Sequence, residues 1–512
     1  MTYDFNIGTY SFKISTSSED AQIWFDRGLI WAYGFHWEEA VKCFKESVKA
    51  DPKCAMSWWG VAYAVGPYYN RMWHQLDEIE LPNVLTECFK ASQTALKLCN
   101  ELTPLEEDLI FALSKRHPSD QAPEDFSLWN DSYAQAMRDM NKKYPNNPDV
   151  SSLFAEAIMS RTPWQLWDLN TGLPKEGAST IEAKETLENA IDNVERNGSH
   201  PHAGLLHYYI HVMEMSPTPE AALRAGDLMR TLVPDCGHLL HMPTHIDFQC
   251  GNYNDVVARN SEAIEADKKI IERDGALNLF AGSVIHNIHF KLYGAMFLGQ
   301  YSSAMEAVKQ FDDLIPDALI RINSPPMADF FEGYYGLKYH ALIRFGKWEE
   351  ILDMPAPNDP DLYLVTTAIY RYARALAYAA SGDVLSADTE QKLFIHALEK
   401  VPETRLMFNN KCSDLLKIAD SMLMGEIEYR KNNFETAFKY LTEAIDNEDS
   451  LPYDEPWGWM QPARHALGAL LLEQGEIERA EAVYREDLGF DNSIIRARRH
   501  PNNVWSLHGL AE

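Results

Sequence analysis

Large and small apolar residues recur in a fixed order along this chain, with a period of about 34 residues. The first copy places Trp24 and Gly28 on one stretch and Ala40 and Phe44 on the next, and Pro52 closes the unit. Small residues at fixed positions let two paired helices approach closely. The pattern therefore predicts two helices in each repeat.

The same order returns near the other end of the chain. Gly425 and Ala437 stand twelve positions apart, and so do Gly468 and Ala480. A single hairpin of two helices cannot bury its apolar face alone, so neighbouring hairpins have to stack. We expect an all-α fold in which helical-hairpin repeats form a curved solenoid with essentially no strand.

Interruptions of the repeat divide the chain into four segments. Residues 1–100 carry N-terminal helical repeats, residues 101–200 combine irregular helices with a long loop, residues 201–320 are His-rich repeats, and residues 321–512 are C-terminal repeats. The stretch from 161 to 200 is predicted to be irregular and precedes the first histidine helix. Long loops inside compact folds are commonly functional or disordered, so this one is a candidate lid.

Charge and cysteine usage exclude several classes of protein. The 512 residues include 46 Lys and Arg against 76 Asp and Glu, a formal net charge of −30. Such a surface cannot neutralise phosphates over a broad face, which excludes nucleic acid and disfavours anionic membranes as partners. The seven cysteines are odd in number and show no CxxC spacing, which is typical of reduced thiols. With no signal peptide and no apolar run long enough to span a membrane, we expect a cytoplasmic protein.

Histidines are concentrated in one part of the sequence. Nine of the seventeen lie between residues 200 and 290. His207, His211 and Glu214 stand at i, i+4 and i+7, which places all three on one face of a helix. Imidazoles at this spacing, with a carboxylate, are typical of metal ligands on helices.

Two further clusters follow the first. His238, His241 and His245 stand at i, i+3 and i+7, and His286 and His289 are three residues apart on a later helix. Three helices that each offer imidazoles could build a closed shell for a transition metal.

Proline interrupts the second cluster. Because Pro243 removes a backbone donor and bends a helix, either a helix begins near it or His241 reaches the site from just before the start. Asp247 could orient a ligating imidazole. The stretch GPYYNRMWH could carry substrate-binding groups, although a simple breaker between repeats is the favoured interpretation of that stretch. The candidates for orienting a ligand or contacting a substrate are His238, Asp247, Tyr69 and Asn70.

The alternative to a metal site is a set of core histidines hydrogen-bonded to neighbouring helices. For a single histidine that interpretation would prevail, but several unpaired imidazoles and a carboxylate are costly to bury. The predicted ligands are His207, His211, Glu214, His241 and His245, completed by His286 or His289. His200 and His202, in a turn-like stretch, fit the start of a helix better than a metal shell.

Imidazole-rich sites suit copper, iron or zinc. Copper or iron would favour oxidoreductase chemistry, and zinc would favour hydrolysis by a bound water. The chain contains no GxSxG, Walker A, GxGxxG or HExxH motif, so other common chemistries lack support. Two hypotheses remain: a metal-dependent enzyme acting on a small molecule, leaning to oxidoreductase, and a non-catalytic scaffold that binds a peptide or protein partner in its groove.

The sequence resembles a family of tetratricopeptide-repeat proteins found in microbes. The resemblance covers residues 8 to 510 and rests on GLIWAYGFHWEEAVKCFKESVKADP, MSWWGVAYAVGPYYN, HYYIH, GHLLHMPTHI, HNIHF, EPWGWMQPARHALG and WSLHGL. This chain departs from the family in HPHAGLLHYYIH, which has an extra residue and His202 at a usually small position. The resemblance implies a helical repeat fold and little about chemistry.

Overall fold

The computed structural model describes residues 3–512, and regular structure in them is almost entirely α-helical. The first helices are α1 (Glu19–Tyr33), α2 (Trp37–Ala50), α3 (Ala55–Val65), α4 (Glu80–Lys97), α5 (Pro104–Arg116), α6 (Ser127–Lys143), α7 (Pro148–Met159), α8 (Thr180–Arg196), α9 (Ala203–Met213), α10 (Leu223–Met229), α11 (Gly237–His241), α12 (Pro243–Gln249) and α13 (Tyr253–Asp274).

The later helices are α14 (Ala281–Phe297), α15 (Tyr301–Leu314), α16 (Met327–Phe331), α17 (Leu337–Arg344), α18 (Trp348–Asp353), α19 (Leu364–Ala380), α20 (Val384–Leu398), α21 (Cys412–Arg430), α22 (Phe434–Asp449), α23 (Ala463–Glu473), α24 (Ile477–Leu488) and α25 (Val504–Ala511). Short 3-10 helices lie at Trp73–Gln75, Pro219–Ala222, Leu319–Arg321, Glu332–Gly336 and Arg496–Arg498. The strands β1 (Leu406–Met407) and β2 (Asn410–Lys411) pair antiparallel. The prediction of an all-α chain with essentially no strand is confirmed for the described residues.

Contacts between residues divide the chain into two compact units. Of the described residues, the first unit contains 3–168, 172–246 and 265–269, and the second contains 169–171, 247–264 and 270–512. The four segments predicted above rest on interruptions of the sequence repeat, whereas contacts in the structure group the described residues into two units. All helices from α1 to α11 belong to the first unit, and all from α14 to α25 belong to the second.

Glycines explain the close pairing of helices in the first unit. Helix α2 packs between α1 and α3, and the ring of Phe44 on α2 fills the contact. A Cβ added to Gly28 on α1 would lie 2.7 Å from this ring, and one on Gly60 of α3 would lie 2.2 Å from it. The tetratricopeptide-like order of large and small residues therefore corresponds to direct packing of a large side chain against glycines on the neighbouring helices.

The repeat near the C-terminus uses the same device. Gly425 on α21 faces Leu441 on α22, with a nearest distance of 2.7 Å for an added Cβ. Gly468 on α23 faces Tyr484 on α24, at 2.6 Å. Both helix pairs are the hairpins that the twelve-residue offset between glycine and alanine predicted.

A buried carboxylate joins the last helices of the second unit. Asp487 accepts hydrogen bonds from His465 Nε2 at 3.0 Å, His500 Nδ1 at 2.6 Å, Asn503 Nδ2 at 2.8 Å and Ser506 Oγ at 2.6 Å. Burial alone would raise the pKa of Asp487, but the charges and hydrogen bonds of the two histidines hold it well below its usual value. The donors saturate this carboxylate, so the cluster acts as a structural joint between α23, α24 and α25.

Replacement of Gly468 by alanine tests the packing of the repeat. The added methyl must displace the Tyr484 ring, and overpacking of this kind costs about 1–3 kcal/mol. The higher helix propensity of alanine offsets about 1 kcal/mol of that cost. We expect Gly468→Ala to lower the urea midpoint of unfolding. Lys439→Ala, an exposed site on α22, should leave the midpoint nearly unchanged, and equal midpoints for the two variants would contradict the packing account.

Candidate metal centre

Helix α9 delivers the first histidine pair into the core of the first unit. It packs against α1, α7 and α8, and every residue from Ala203 to Met213 is buried. His202 caps the start of the helix, where its side chain accepts a hydrogen bond from the Leu205 amide. The expectation that His202 marks a helix start agrees with this geometry. His207 and His211 are both fully buried.

Three imidazoles turn their Nε2 atoms toward one another. His207 Nε2 lies 3.1 Å from His211 Nε2 and 3.1 Å from His238 Nε2. The three nitrogens all lie within 4.8 Å of one another. The sequence leaves His238 open between a ligand and an orienting or substrate-binding role, and the structure brings its ring directly beside those of the α9 pair.

A second pair of imidazoles is built around a break between two helices. His241 is the last residue of α11, Pro243 is the first of α12, and His245 lies in the first turn that follows. Proline is tolerated at a helix start because its missing N–H has no intrahelical partner there. Across this break, His241 Nε2 lies 2.7 Å from His245 Nε2. A helix therefore begins at Pro243, and His241 lies just before its start, so both alternatives predicted from the proline hold.

Glu214 connects the two groups of histidines through their Nδ1 atoms. One of its carboxylate oxygens lies 2.9 Å from His211 Nδ1, and the other is hydrogen-bonded to His245 Nδ1. The side chain is fully buried. Its spacing from His207 and His211 predicts that Glu214 is a metal ligand. The structure turns both of its oxygens to the Nδ1 atoms, which is the arrangement by which a carboxylate orients imidazoles that ligate a metal.

The Nδ1 contacts fix where the protons are. Burial, with a smaller effect of His211, lowers the pKa of His207 well below its usual value, and burial lowers that of His211 to about 3. Both rings are therefore neutral near pH 7. His207 Nδ1 lies 2.6 Å from the carbonyl oxygen of Tyr33, which can only accept a hydrogen bond, so this nitrogen carries the proton.

The Nδ1 atoms of the other histidines also face oxygen atoms. His211 and His245 both donate from Nδ1 to Glu214. The hydroxyl of Thr244 donates to the His241 carbonyl at 2.7 Å, which leaves its oxygen to accept from His241 Nδ1 at 3.4 Å. A neutral imidazole protonated at Nδ1 has a lone pair at Nε2. The Nε2 atoms of His207 and His211, which face each other across 3.1 Å, are therefore both acceptors.

These separations fit a metal ion. Metal–nitrogen bonds of about 2.0–2.1 Å in a tetrahedral site place neighbouring nitrogens about 3.3 Å apart. The observed separations of 2.7 and 3.1 Å need only a small expansion to reach that value. Facing lone pairs repel, and a cation between them removes the repulsion.

Phe35 covers the group of three imidazoles. Its ring stacks on His211 with centroids 5.7 Å apart and on His238 at 5.4 Å, and it lies 4.4 Å from His207. The residue adopts a φ of 54°, a conformation that bulky side chains rarely take. Strain of this kind persists where the surroundings impose it, often at functional sites. The sequence carried no signal for Phe35, because it lies about 170 positions from α9 in the chain.

The loop before α8 is shorter than predicted and is anchored beside the site. It ends where α8 begins at Thr180, so only residues 160–179 lack helix. Trp167 Nε1 donates to the Val212 carbonyl at 2.7 Å, and the Trp164 amide donates to Tyr69 Oη at 3.1 Å. The ring of Tyr69 lies 5.0 Å from that of His211. The loop thus holds Tyr69, a candidate from the sequence, against the histidines.

The remaining candidate residues from the sequence have other surroundings. Asn70 is partly buried, and its Oδ1 has no hydrogen-bond partner among the described residues. In the second unit, His286 Nε2 lies 4.0 Å from a carboxylate oxygen of Glu455. His289 is buried, which lowers its pKa to about 3. Asp247 pairs with Arg259 at 3.0 Å. The metal-site roles of His286, His289 and Asp247 stay predictions.

Comparisons with known proteins add little to this geometry. No family model matches the chain, and no curated protein matches it. Three solved structures with partial likeness share 12% identity with it. Yeast Tom70 has a TM-score of 0.28 over 96% of this chain and 94% of its own. The Cut9-Hcn1 hetero-tetramer of the APC/C scores 0.30 over 97% and 77%. A human IFIT1 dimer with m7Gppp-AAAA scores 0.31 over 98% and 92%.

These scores carry no argument about function, and the fold rests on the helices described above. The resemblance to a histidine-rich repeat family likewise rests on the sequence alone. No helix among residues 3–512 has the length and apolar character needed to cross a bilayer.

Proposed function

We propose that the first unit binds one or two transition-metal ions through the Nε2 atoms of His207, His211, His238, His241 and His245, and that the protein is a metal-dependent enzyme acting on a small molecule. The observation that supports this most directly is the set of buried Nε2 atoms facing one another at 2.7–3.1 Å. Within the first unit they form a group of three and a group of two.

The ligand chemistry favours copper or iron, and zinc fits the same nitrogens. Cys236 precedes α11, but its thiol lies near the Gly34 carbonyl, and burial raises the pKa of this thiol to about 12. A protonated thiol is a poor ligand, so the donor set consists of imidazoles. A bound copper or iron ion would exchange electrons with a small substrate, whereas zinc would acidify a bound water. We lean to oxidoreductase.

The residues around the imidazoles have separate tasks in this proposal. Glu214 and the Tyr33 carbonyl hold the rings in one tautomer, so that Nε2 is always available to the ion. Phe35 and Tyr69 exclude bulk water from one side of the histidines. Because the imidazoles are at most 9% exposed, only a small substrate could reach an ion held there.

The alternative is a repeat scaffold that binds a peptide or protein partner in its groove. The helical hairpins are what such a scaffold requires, and its histidines would be structural. A scaffold of this kind has no need for neutral imidazoles whose lone pairs converge. Metal content separates the two hypotheses.

Removal of one imidazole should remove the metal. We expect freshly purified protein to contain about one to two equivalents of a single transition metal, and His207→Ala to lose at least the ion of the group of three, since a site with two remaining imidazoles binds weakly. Inductively coupled plasma mass spectrometry measures the content. Circular dichroism at the same time reports whether the helices remain.

The matched control is His200→Ala, which removes an exposed histidine of the same unit. It should keep the full metal content. If the wild-type protein holds no metal above trace, even after incubation with copper, iron and zinc, the metal proposal is wrong and the scaffold hypothesis takes its place. A bound metal without redox change between reduced and air-oxidised samples would exclude the oxidoreductase part alone.

Neutralisation of the bridging carboxylate should weaken binding without removing a ligand. In Glu214→Gln the amide nitrogen can only donate, so it cannot accept from the second imidazole Nδ1–H. Loss of such orienting partners lowers metal affinity about 10- to 100-fold. Competition with a chromophoric chelator measures the affinity.

Glu195→Gln is the matched control, because Glu195 pairs with Arg224 at the surface of the same unit. Its affinity should equal that of the wild type. Complete loss of metal in Glu214→Gln, with the helices intact, would indicate instead that Glu214 is itself a ligand. An unchanged affinity would contradict both roles.

A further inference from the structure

The second unit contains a cavity that the proposed metal chemistry does not use. Its volume is about 760 Å³, which lies within the range of small-ligand pockets, about 300–1,000 Å³. Much of its wall is apolar. The apolar lining includes Trp348, Leu376, Met422, Leu441 and Leu470. A ligand of this cavity therefore has an apolar body.

One cation in the wall forms no direct ion pair. Arg344 lines the cavity, and within residues 3–512 its guanidinium forms no ion pair or hydrogen bond, only a contact with the Trp505 ring at 4.9 Å. Its Nε is enclosed without a partner. Arg430 lines the same cavity but is neutralised by Glu426 at 2.8 Å. Burial lowers the pKa of Arg344 to about 10, so the group stays charged near pH 7.

A second donor lies in the same wall. The hydroxyl of Tyr372 is enclosed and has no hydrogen-bond partner among the described residues. Each unsatisfied buried donor carries a desolvation cost, and a charged donor carries more. An acceptor with a negative charge would satisfy both groups at once. A carboxylate matches the planar fork of a guanidinium.

The remaining charges limit how negative the ligand can be. Glu473 and Glu512 also line the cavity, and neither forms an ion pair with Arg344. A ligand with several negative charges, such as a nucleotide, would be repelled by these carboxylates. A single carboxylate is the charge that one unpaired arginine balances.

We propose that this cavity binds a small organic monocarboxylate with an apolar body, with the carboxylate at Arg344 and Tyr372 and the body against Trp348 and Leu376. The proposal is independent of the metal site, because all its residues lie in the second unit and none is a histidine of the first. It assigns this unit a ligand-binding role.

The test uses the full-length protein and 4-phenylbutanoate, with 4-phenylbutanamide as the uncharged probe of the same shape. Isothermal titration calorimetry should show that the acid binds at least about tenfold more tightly than the amide, as expected for a hydrogen bond to a charged group. Arg344→Met should abolish this preference, and Arg344→Lys should retain part of it. His207→Ala should bind the acid as the wild type does.

Arg485→Met is the control, because Arg485 is an exposed arginine of the same unit paired with Glu481. It should leave the preference for the acid unchanged. Equal binding of acid and amide to the wild type, or no binding of either, would overturn the proposal. So would binding of an apolar peptide with a free C-terminal carboxylate when the small acid does not bind, since the cavity would then be a peptide-docking site. If Arg344→Met does not fold, Tyr372→Phe and the comparison of acid with amide decide the question.

Discussion

The hydrogen bonds at the imidazole Nδ1 atoms are the constraint on which the account of the first unit depends. Glu214 is fully buried, and its two oxygens accept hydrogen bonds from His211 Nδ1 and His245 Nδ1. A buried carboxylate without such donors would be strongly destabilising. The same two bonds decide the tautomer of both rings and direct their lone pairs inward. One carboxylate thus satisfies two buried imidazoles and is satisfied by them.

The repeat fold explains how these groups meet. Tyr33 ends α1, and its hydroxyl donates to Asp149 on α7 at 2.8 Å, while His202 at the start of α9 bonds to the same carboxylate at 3.0 Å. Tyr33 thus contacts Asp149 through its side chain and His207 through its backbone carbonyl. His241 and His245 face each other across the break at Pro243 with the same four-residue spacing that brings His207 and His211 together within α9. The site combines regular hairpins with one interruption.

Much of this arrangement could be predicted from the chain. Glycine, alanine and a large residue at fixed offsets are local signals, and they gave the hairpins around Phe44, Leu441 and Tyr484. The spacing of His207 and His211 placed them on one face. The helix Thr180–Arg196 was also within reach, because Ala183, Leu187, Ala190 and Val194 recur at helical spacing and are buried; proline and glycine in the preceding loop obscured it.

The rest depends on tertiary contacts that no local pattern encodes. Glu214 directly follows α9, at i+7 from His207, so spacing alone could not show that its oxygens turn to Nδ1 and not to a metal. Phe35 and the Tyr33 carbonyl lie about 170 positions before α9 in the sequence, so no local pattern could place them beside its histidines.

The most direct measurement is a crystal structure of metal-loaded protein, with diffraction data collected on both sides of the absorption edge of the metal. We predict an anomalous peak at bonding distance, about 2.0–2.1 Å, from the Nε2 atoms of His207, His211 and His238, with Glu214 still bound to Nδ1. A peak coordinated elsewhere, or none among these imidazoles in protein that contains the metal, would contradict the account.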